Sequence, residues 1–282
     1  MTKTEYTIRT MRREELAIAL EWAKLESWNP GREDAEAFFA ADPGGFLIGE
    51  LDGKPVATVS AVRYGDDFGF IGLYIVKPEY RGRGYGLAIW EAACRRLTGV
   101  VAGLDGVLAQ QANYRRSGFE FAYRHIRFRG RTEAGTFNGK ARTLVLNDFE
   151  QLAELDRQYF GTDRAAFLRA FAFAPESRAV GIWGAGELTG FGVIRRCVEG
   201  WKIGPVFAPD QAGAAEIVTT LLHTGSVENF YWDVPEPNAV AMELARQYFR
   251  ASSTFETARM YRGNHWQLPL DRIWGTTTLE LG

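Results

Sequence analysis

Residues Tyr74 to Ala88 read Tyr-Ile-Val-Lys-Pro-Glu-Tyr-Arg-Gly-Arg-Gly-Tyr-Gly-Leu-Ala, an apolar strand that runs through a glycine-rich turn into a helix. The chemistry of such a turn is anion binding. Gly82, Gly84 and Gly86 leave the main chain bare, so N–H groups can close around a negative charge at the helix N-terminus. Arg81 and Arg83 add positive charge beside it. A phosphorylated ligand is the expected guest. The turn lacks Gly-Lys-Ser/Thr, which disfavours a nucleoside triphosphate. It follows the fourth strand of the pattern, not the first, which disfavours a dinucleotide fold.

The elements that position this turn follow from periodicity. Residues 5–11 alternate as a strand, and Arg13–Lys24 and Arg32–Ala41 carry helical spacing around the break Glu26-Ser-Trp-Asn-Pro-Gly31. Phe46–Glu50 and Pro55–Tyr64 pair as strands across Asp52-Gly53. Phe68–Val76 is nearly continuous in apolar residues, which makes it a central strand. A helix from Gly84 to Leu97, a strand near Val100–Leu104, a short helix closing at Tyr114–Gly118 and a strand over Phe119–Phe128 complete the run. This order predicts an α/β layer around a mixed sheet.

The polar stretch Arg129–Lys140 is the expected linker, placed at 131–140 between domains 1–130 and 141–282. The second half of the chain repeats the first in weakened form. Phe149–Phe160 and Asp163–Phe173 read as helices, and Ala179–Trp183 and Leu188–Arg195 as a hairpin. Trp201–Ala215 stands where Phe70–Ala88 stood. Glu216–Leu222, Asn229–Val234 and Asn238–Phe249 come next as helix, strand and helix. The second copy keeps the hydrophobic outline but loses the arginines and two of the three glycines. Two copies are expected, with one site.

Composition narrows the class. Hydrophobic residues make up 46% and charged residues 24% of 282, enough for a buried core. A net charge of −2 argues against nucleic acid as partner. No apolar run is long enough to cross a bilayer and the N-terminus has no apolar signal region, so no membrane partner is expected. Cys94 and Cys197 need no disulfide, which suits a reducing cytoplasm. His125, His223 and His265 lack metal-ligand spacing, so no metal is expected.

Val76-Lys-Pro-Glu-Tyr-Arg-Gly-Arg-Gly-Tyr-Gly86 resembles the acyl-CoA-binding motif of the GCN5-related N-acetyltransferases (GNAT), and Tyr114-Arg-Arg-Ser-Gly-Phe119 resembles the Tyr-x-x-x-Gly-Phe that closes that domain. The pair covers about residues 5–130. Trp28-Asn-Pro-Gly31, Gly103-Leu-Asp-Gly106, Gln110-Gln-Ala-Asn-Tyr114 and Thr278-Leu-Glu-Leu-Gly282 are similar to the tandem YitH/HolE-like branch, which carries a second, degenerate GNAT-like domain. The resemblance implies tandem GNAT-like domains, each a mixed, mostly antiparallel sheet flanked by helices. It implies acetyl-CoA as cosubstrate, with main-chain groups of Ile75 and Val76 pairing with the pantetheine arm. The stretch Arg81, Gly82, Arg83, Gly84, Tyr85 and Gly86 would hold the pyrophosphate. Tyr114 falls where the family places a phenol that protonates the departing thiolate; packing beside Phe119 is the competing reading.

An amine must be neutral to attack a thioester, so a base is needed. Many relatives use a carboxylate on the strand before the turn, yet Phe70–Val76 has none. Asp105, Glu26 and His125 are stand-ins whose competing roles are structural, and a water chain is the other option. Trp28, Asn29, Tyr64 and Tyr74 are the candidates for the acceptor wall, against ordinary aromatic packing. The acids of Asp233-Val-Pro-Glu-Pro-Asn238 are weighed as a stiff loop or as part of a site between domains. The expected reaction moves acetyl from acetyl-CoA to a primary amine of a small molecule. The alternatives are a protein or peptide acceptor, a longer acyl chain, or a CoA-binding module without turnover.

Overall fold

A computed structural model describes residues 5–133, 137 and 139–282. Part of the expected linker, 134–136 and 138, lies outside the described residues. The first run of elements is β1 (Tyr6–Thr10), α1 (Leu16–Leu25), α2 (Asp34–Ala41), β2 (Phe46–Leu51), β3 (Lys54–Tyr64), β4 (Phe68–Val76), α3 (Tyr85–Arg96), β5 (Val101–Val107), α4 (Gln111–Arg116) and β6 (Glu120–Arg131). The second is β7 (Arg142–Thr143), α5 (Phe149–Phe160), α6 (Ala165–Ala172), β8 (Ser177–Gly184), β9 (Glu187–Arg196), β10 (Trp201–Phe207), α7 (Gln211–His223), β11 (Asn229–Pro235) and α8 (Ala239–Glu243). After α8 come β12 (Ser252–Arg262) and β13 (Ile273–Gly275), which the sequence pattern did not announce. No helix among the described residues is long and apolar enough to cross a membrane.

Among the described residues the strands join one 13-stranded sheet in the order β1-β2-β3-β4-β5-β12-β6-β11-β10-β9-β8-β7, with β13 on β10. Pairing is mostly antiparallel; β4–β5 and β10–β11 are parallel. The order is symmetric about β12 and β6, and it exchanges them between the repeats. β12, late in the chain, lies antiparallel between β5 and β6. β6, early in the chain, pairs with β11. The hydrogen-bond ladder therefore crosses the sequence division at 131–140.

β4 is buried along most of its length because helices cover both faces. α3 packs Ile89, Trp90 and Ala93 on one side against Val59, Ala61 and Ile71 of the sheet. On the other side α1, α2, α5 and α6 share a core in which Phe38, Phe160, Phe167 and Phe171 meet Phe70. Between the helix pairs, the buried ion pair Arg195–Asp34 (2.8 Å) joins β9 to α2.

Candidate active site

β4 and β5 pair only from Phe68–Ile71 against Val101–Leu104 and then part. A bulge in β4 starts the separation. Thr58 of β3 faces Ile75 and Ser60 faces Gly72, so Leu73 and Tyr74 together oppose Val59. Leu73 takes φ +46°, a left-handed conformation costly for a branched side chain. The buried Thr58 hydroxyl holds it there, donating to the Leu73 carbonyl at 2.9 Å.

The parting strands open a cavity of about 630 Å³. Ile75, Val76 and Tyr74 form its β4 wall, and Gly82, Gly84 and Gly86 form its rim. Gly84 is the N-cap of α3 at φ +88°, and no side chain caps the helix. The first-turn N–H groups of α3 thus lack intrahelical partners beside the cavity. A Cβ on Gly84 would meet nothing within 4 Å, so its bareness keeps open space. Gly86 has a different role: a Cβ there would stand 2.8 Å from the Tyr74 hydroxyl, so glycine lets α3 close onto β4.

The arginines are less free than the sequence implies. Arg81 lines the cavity, but its guanidinium donates to the Val76 carbonyl at 2.8 Å and pairs with Glu26. Arg83 lies over the Tyr80 ring and Tyr85 packs against Tyr6; neither lines the cavity.

Tyr114 of α4 reaches the cavity from the β5 side. Its ring rests on Gly106, where a Cβ would come within 2.2 Å of Cε2, and lies 5.3 Å from the Trp90 ring. Burial, and then the neighbouring Tyr74, push its phenol up to about 12. It stays protonated at neutral pH.

The three stand-in bases fall to different places. Asp105 of β5 lines the cavity, but Arg259 of β12 holds it through two bonds of 2.9 and 2.7 Å, and it lies 2.9 Å from His125 Nδ1. Burial pushes its carboxyl up, yet Arg259 and His125 outweigh that and hold it at about 2. His125 is buried behind Asp105 and does not line the cavity. Glu26 sits at the mouth, tied to Arg81.

Of the acceptor-wall candidates, Trp28 and Tyr74 line the cavity. The Trp28 carbonyl is fixed by Arg127 Nη1 at 3.0 Å. Asn29 and Tyr64 do not line it. Asn29 exchanges two hydrogen bonds with the Glu199 main chain, locking the α1–α2 loop onto the second repeat. Tyr64 is 2% exposed and donates its hydroxyl to the Leu281 carbonyl at 2.9 Å. In 233–238, Asp233 pairs with buried Arg127, Glu236 with Arg124, and Asn238 caps α8.

Sequence reasoning missed wall residues from both parts of the chain: Trp90, Val107 and Arg127 from the first, and Phe255, Thr257, Leu279 and Glu280 from the later part. Glu280 is 4% exposed and its Oε2 has no hydrogen-bond partner. The main chain of Glu280 presses on Gly72 of β4, where a Cβ would stand 2.0 Å from the Glu280 carbonyl oxygen. The only signal was the Thr278–Gly282 motif.

The second repeat has the same parting but fills it. β10 and β11 pair only over Trp201–Ile203 and Phe230–Trp232. β13 then hydrogen-bonds to β10 at Val206 and Phe207, and Thr276 presses on Gly204. Asp210 caps α7, accepting from the Gly213 N–H at 2.8 Å, so a carboxylate of the chain holds the place of an outside anion.

Comparison with known proteins agrees with this geometry. The sequence model of the Acetyltransferase (GNAT) family matches residues 13–119, and that of an Acetyltransferase (GNAT) domain matches 152–275. The chain is 31% identical to the Holothin acyltransferase of Pseudoalteromonas sp. (strain SANK 73390), over 95% of this chain and 92% of that protein. Among solved structures, a candidate acetyltransferase of Pyrococcus horikoshii superposes with a TM-score of 0.83 at 23% identity, covering 100% and 98% of the two chains. A tandem GNAT protein from the clavulanic acid biosynthesis pathway superposes at 0.60 with 13% identity, covering 93% and 100%. The motif, the parted strands and these matches together show that the chain belongs to the GNAT acyltransferases, with two such domains in tandem.

Proposed function

We propose that this protein transfers acetyl from acetyl-CoA to the primary amine of a small molecule, in the cavity between β4, β5 and the segment around Glu280. The observation that carries the reading is the opening of β4 from β5 directly beside the uncapped N-terminus of α3. There a pantetheine arm would add to the β4 edge at Ile75 and Val76 like an extra strand, beside the Val76 carbonyl that Arg81 holds. Amides from Arg81 to Gly86 would hold the pyrophosphate, with the helix dipole favouring its charge. Since Arg81 is engaged and Arg83 lies off the wall, these main-chain groups are the principal holders.

The amine nitrogen attacks the thioester carbonyl carbon, the C–S bond breaks, and coenzyme A leaves as a thiolate. Tyr114 keeps its proton at neutral pH and is the proposed donor to the departing sulfur. Its pKa of about 12 exceeds that of an ordinary thiol, about 8.5, so Tyr114 gives up its proton to sulfur only as it regains one from the nitrogen, made acidic by its bond to the carbonyl carbon. The rest of the rate comes from holding amine and thioester together. Trp28, Tyr74, Phe255 and Leu279 supply the acceptor wall. A walled cavity of about 630 Å³ supports a small acceptor over a peptide. The relative's name makes holothin its acceptor and leaves its acyl group open. The two free cysteines support a reducing cytoplasm as the working compartment.

The test is thiol release from acetyl-, butyryl- and hexanoyl-CoA across a panel of primary amines and lysine peptides. Fastest release with acetyl-CoA and a small amine is expected. Preference for peptide or for hexanoyl-CoA would replace the finer reading, and CoA binding without any turnover would refute the enzyme.

A further inference from the structure

Resting on the transferase reading above, we infer that Glu280 takes the proton of the incoming amine. β4 lacks a carboxylate from Phe70 to Val76. The fold brings one to the same place from elsewhere in the chain. The main chain at Glu280 stands on Gly72, one residue before the bulge at Leu73, and the side chain lines the cavity that Tyr114 of α4 enters from the β5 side. Glycine at 72 is what allows this, since any Cβ would collide with the Glu280 main chain.

The other cavity acids are committed. Asp105 is bound by Arg259 and His125, and Glu26 by Arg81. Glu280 makes no ion pair within 4.0 Å among the described residues, and its Oε2 is buried without a partner. A buried acceptor left unpaired is costly, so its retention at a cavity wall calls for a ligand that donates to it. An ammonium group is such a donor.

Charged groups face Glu280 from three strands: Arg127 of β6, Arg195 of β9 and Lys202 of β10 all feel its charge. Arg127 is paired with Asp233 and Arg195 with Asp34, whereas Lys202 only donates to the Trp28 carbonyl at 3.4 Å. Glu280 is thus the counter-charge that keeps this cluster near neutrality. With Arg127 and Arg195 paired elsewhere, the Glu280 oxygen that has no hydrogen-bond partner is left to a donor from the cavity.

The step balances. The ammonium gives one proton to the Glu280 carboxylate; the neutral nitrogen bonds to the carbonyl carbon as the C–S bond breaks. Tyr114 gives its proton to the thiolate and regains one from the nitrogen, which keeps a single proton as the amide, and Glu280 returns its own to water.

The experiment compares Glu280→Gln and Glu280→Asp with the wild-type chain, using acetyl-CoA and the fastest amine of the panel. Wild-type thiol release is measured first, because its absence overturns the transferase reading and this assignment with it. For Glu280→Gln we expect unchanged acetyl-CoA affinity by calorimetry and a loss of about 10²–10³-fold in kcat/KM for the amine at pH 7. Its rate should fall tenfold per pH unit below the amine's own pKa, where the wild type holds level. Glu280→Asp should keep the wild-type shape at a lower rate. A wild-type profile in Glu280→Gln overturns the assignment. So does an equal loss at every pH accompanied by a lowered melting temperature in both variants, the mark of a purely structural counter-charge.

Discussion

Replacing Gly84 with valine separates cofactor binding from folding. Gly84 sits at φ +88° with open space where a Cβ would go, so the fold meets only backbone strain, about 1–2 kcal/mol for an L-residue in this region. In a chain of this size that lowers the melting temperature by roughly 2–8 °C. The space it fills is where the uncapped amides of α3 would meet the pyrophosphate. Losing two hydrogen bonds to a charged group, about 1.5–3 kcal/mol each, removes about 3–6 kcal/mol. That is a weakening of about 10²–10⁴-fold in Kd for acetyl-CoA. The assay is calorimetric titration with a thermal melt on the same sample. Gly186→Val is the matched control, since Gly186 has φ +89° and equally open surroundings in the β8–β9 turn. The control should share the melting shift and bind normally. If Gly84→Val binds acetyl-CoA within about threefold of wild type, the anion cradle is not at α3.

Tyr114→Phe should lower turnover about 10–10²-fold with acetyl-CoA affinity unchanged, and wild-type turnover would remove the phenol from the mechanism. Because its pKa is raised to about 12, no loss of rate from phenol ionisation should appear between pH 6 and about 10. Asp105→Asn leaves Arg259 buried without its partner and should cost about 3–5 kcal/mol by urea unfolding at pH 7. The folded carboxyl at about 2 lies below its unfolded value of about 4, so its contribution is full above pH 4 and fades toward pH 2. The variant should therefore lose less stability than the wild type between those pH values; parallel curves would contradict the pairing. Residues 1–140 expressed alone should aggregate, because β5 and β6 then lack β12 between them. Co-expression with 141–282 should recover a one-to-one complex on gel filtration, and a monomeric, cooperatively melting 1–140 fragment would refute the strand exchange.

The turn and its flanking elements were legible because each obeys a local rule. Phe68–Val76 is continuous in apolar residues since helices cover both its faces, and Phe149–Phe160 has clean helical periodicity. What escaped reading depends on partners far along the chain. β12 reads Ser-Ser-Thr-Phe-Glu-Thr-Ala-Arg-Met-Tyr-Arg, with no apolar alternation, because its buried Arg259 is neutralised by Asp105 from β5. The bulge was hidden because its left-handed residue is a leucine, held by Thr58 from a neighbouring strand. Tyr64 looked like a cleft residue until its hydroxyl met the Leu281 carbonyl. Glu280 lay in the Thr278–Gly282 motif with nothing to tie it to the site; the packing of its main chain on Gly72 is what locates it.

The strand β13 carries a consequence for what this scaffold can become. It closes the second groove by bonding to β10, and Thr276 to Leu281 run directly from it to the wall of the first. One groove is thereby a mooring, and the other a workplace that the moored rope reaches. Restoring a glycine turn ahead of α7 would not revive a second workplace, because a guest there would have to cast off the rope and take Leu279 and Glu280 away from the first. Duplication has produced two clefts that cannot both be open, and the asymmetry is locked by a few residues of backbone.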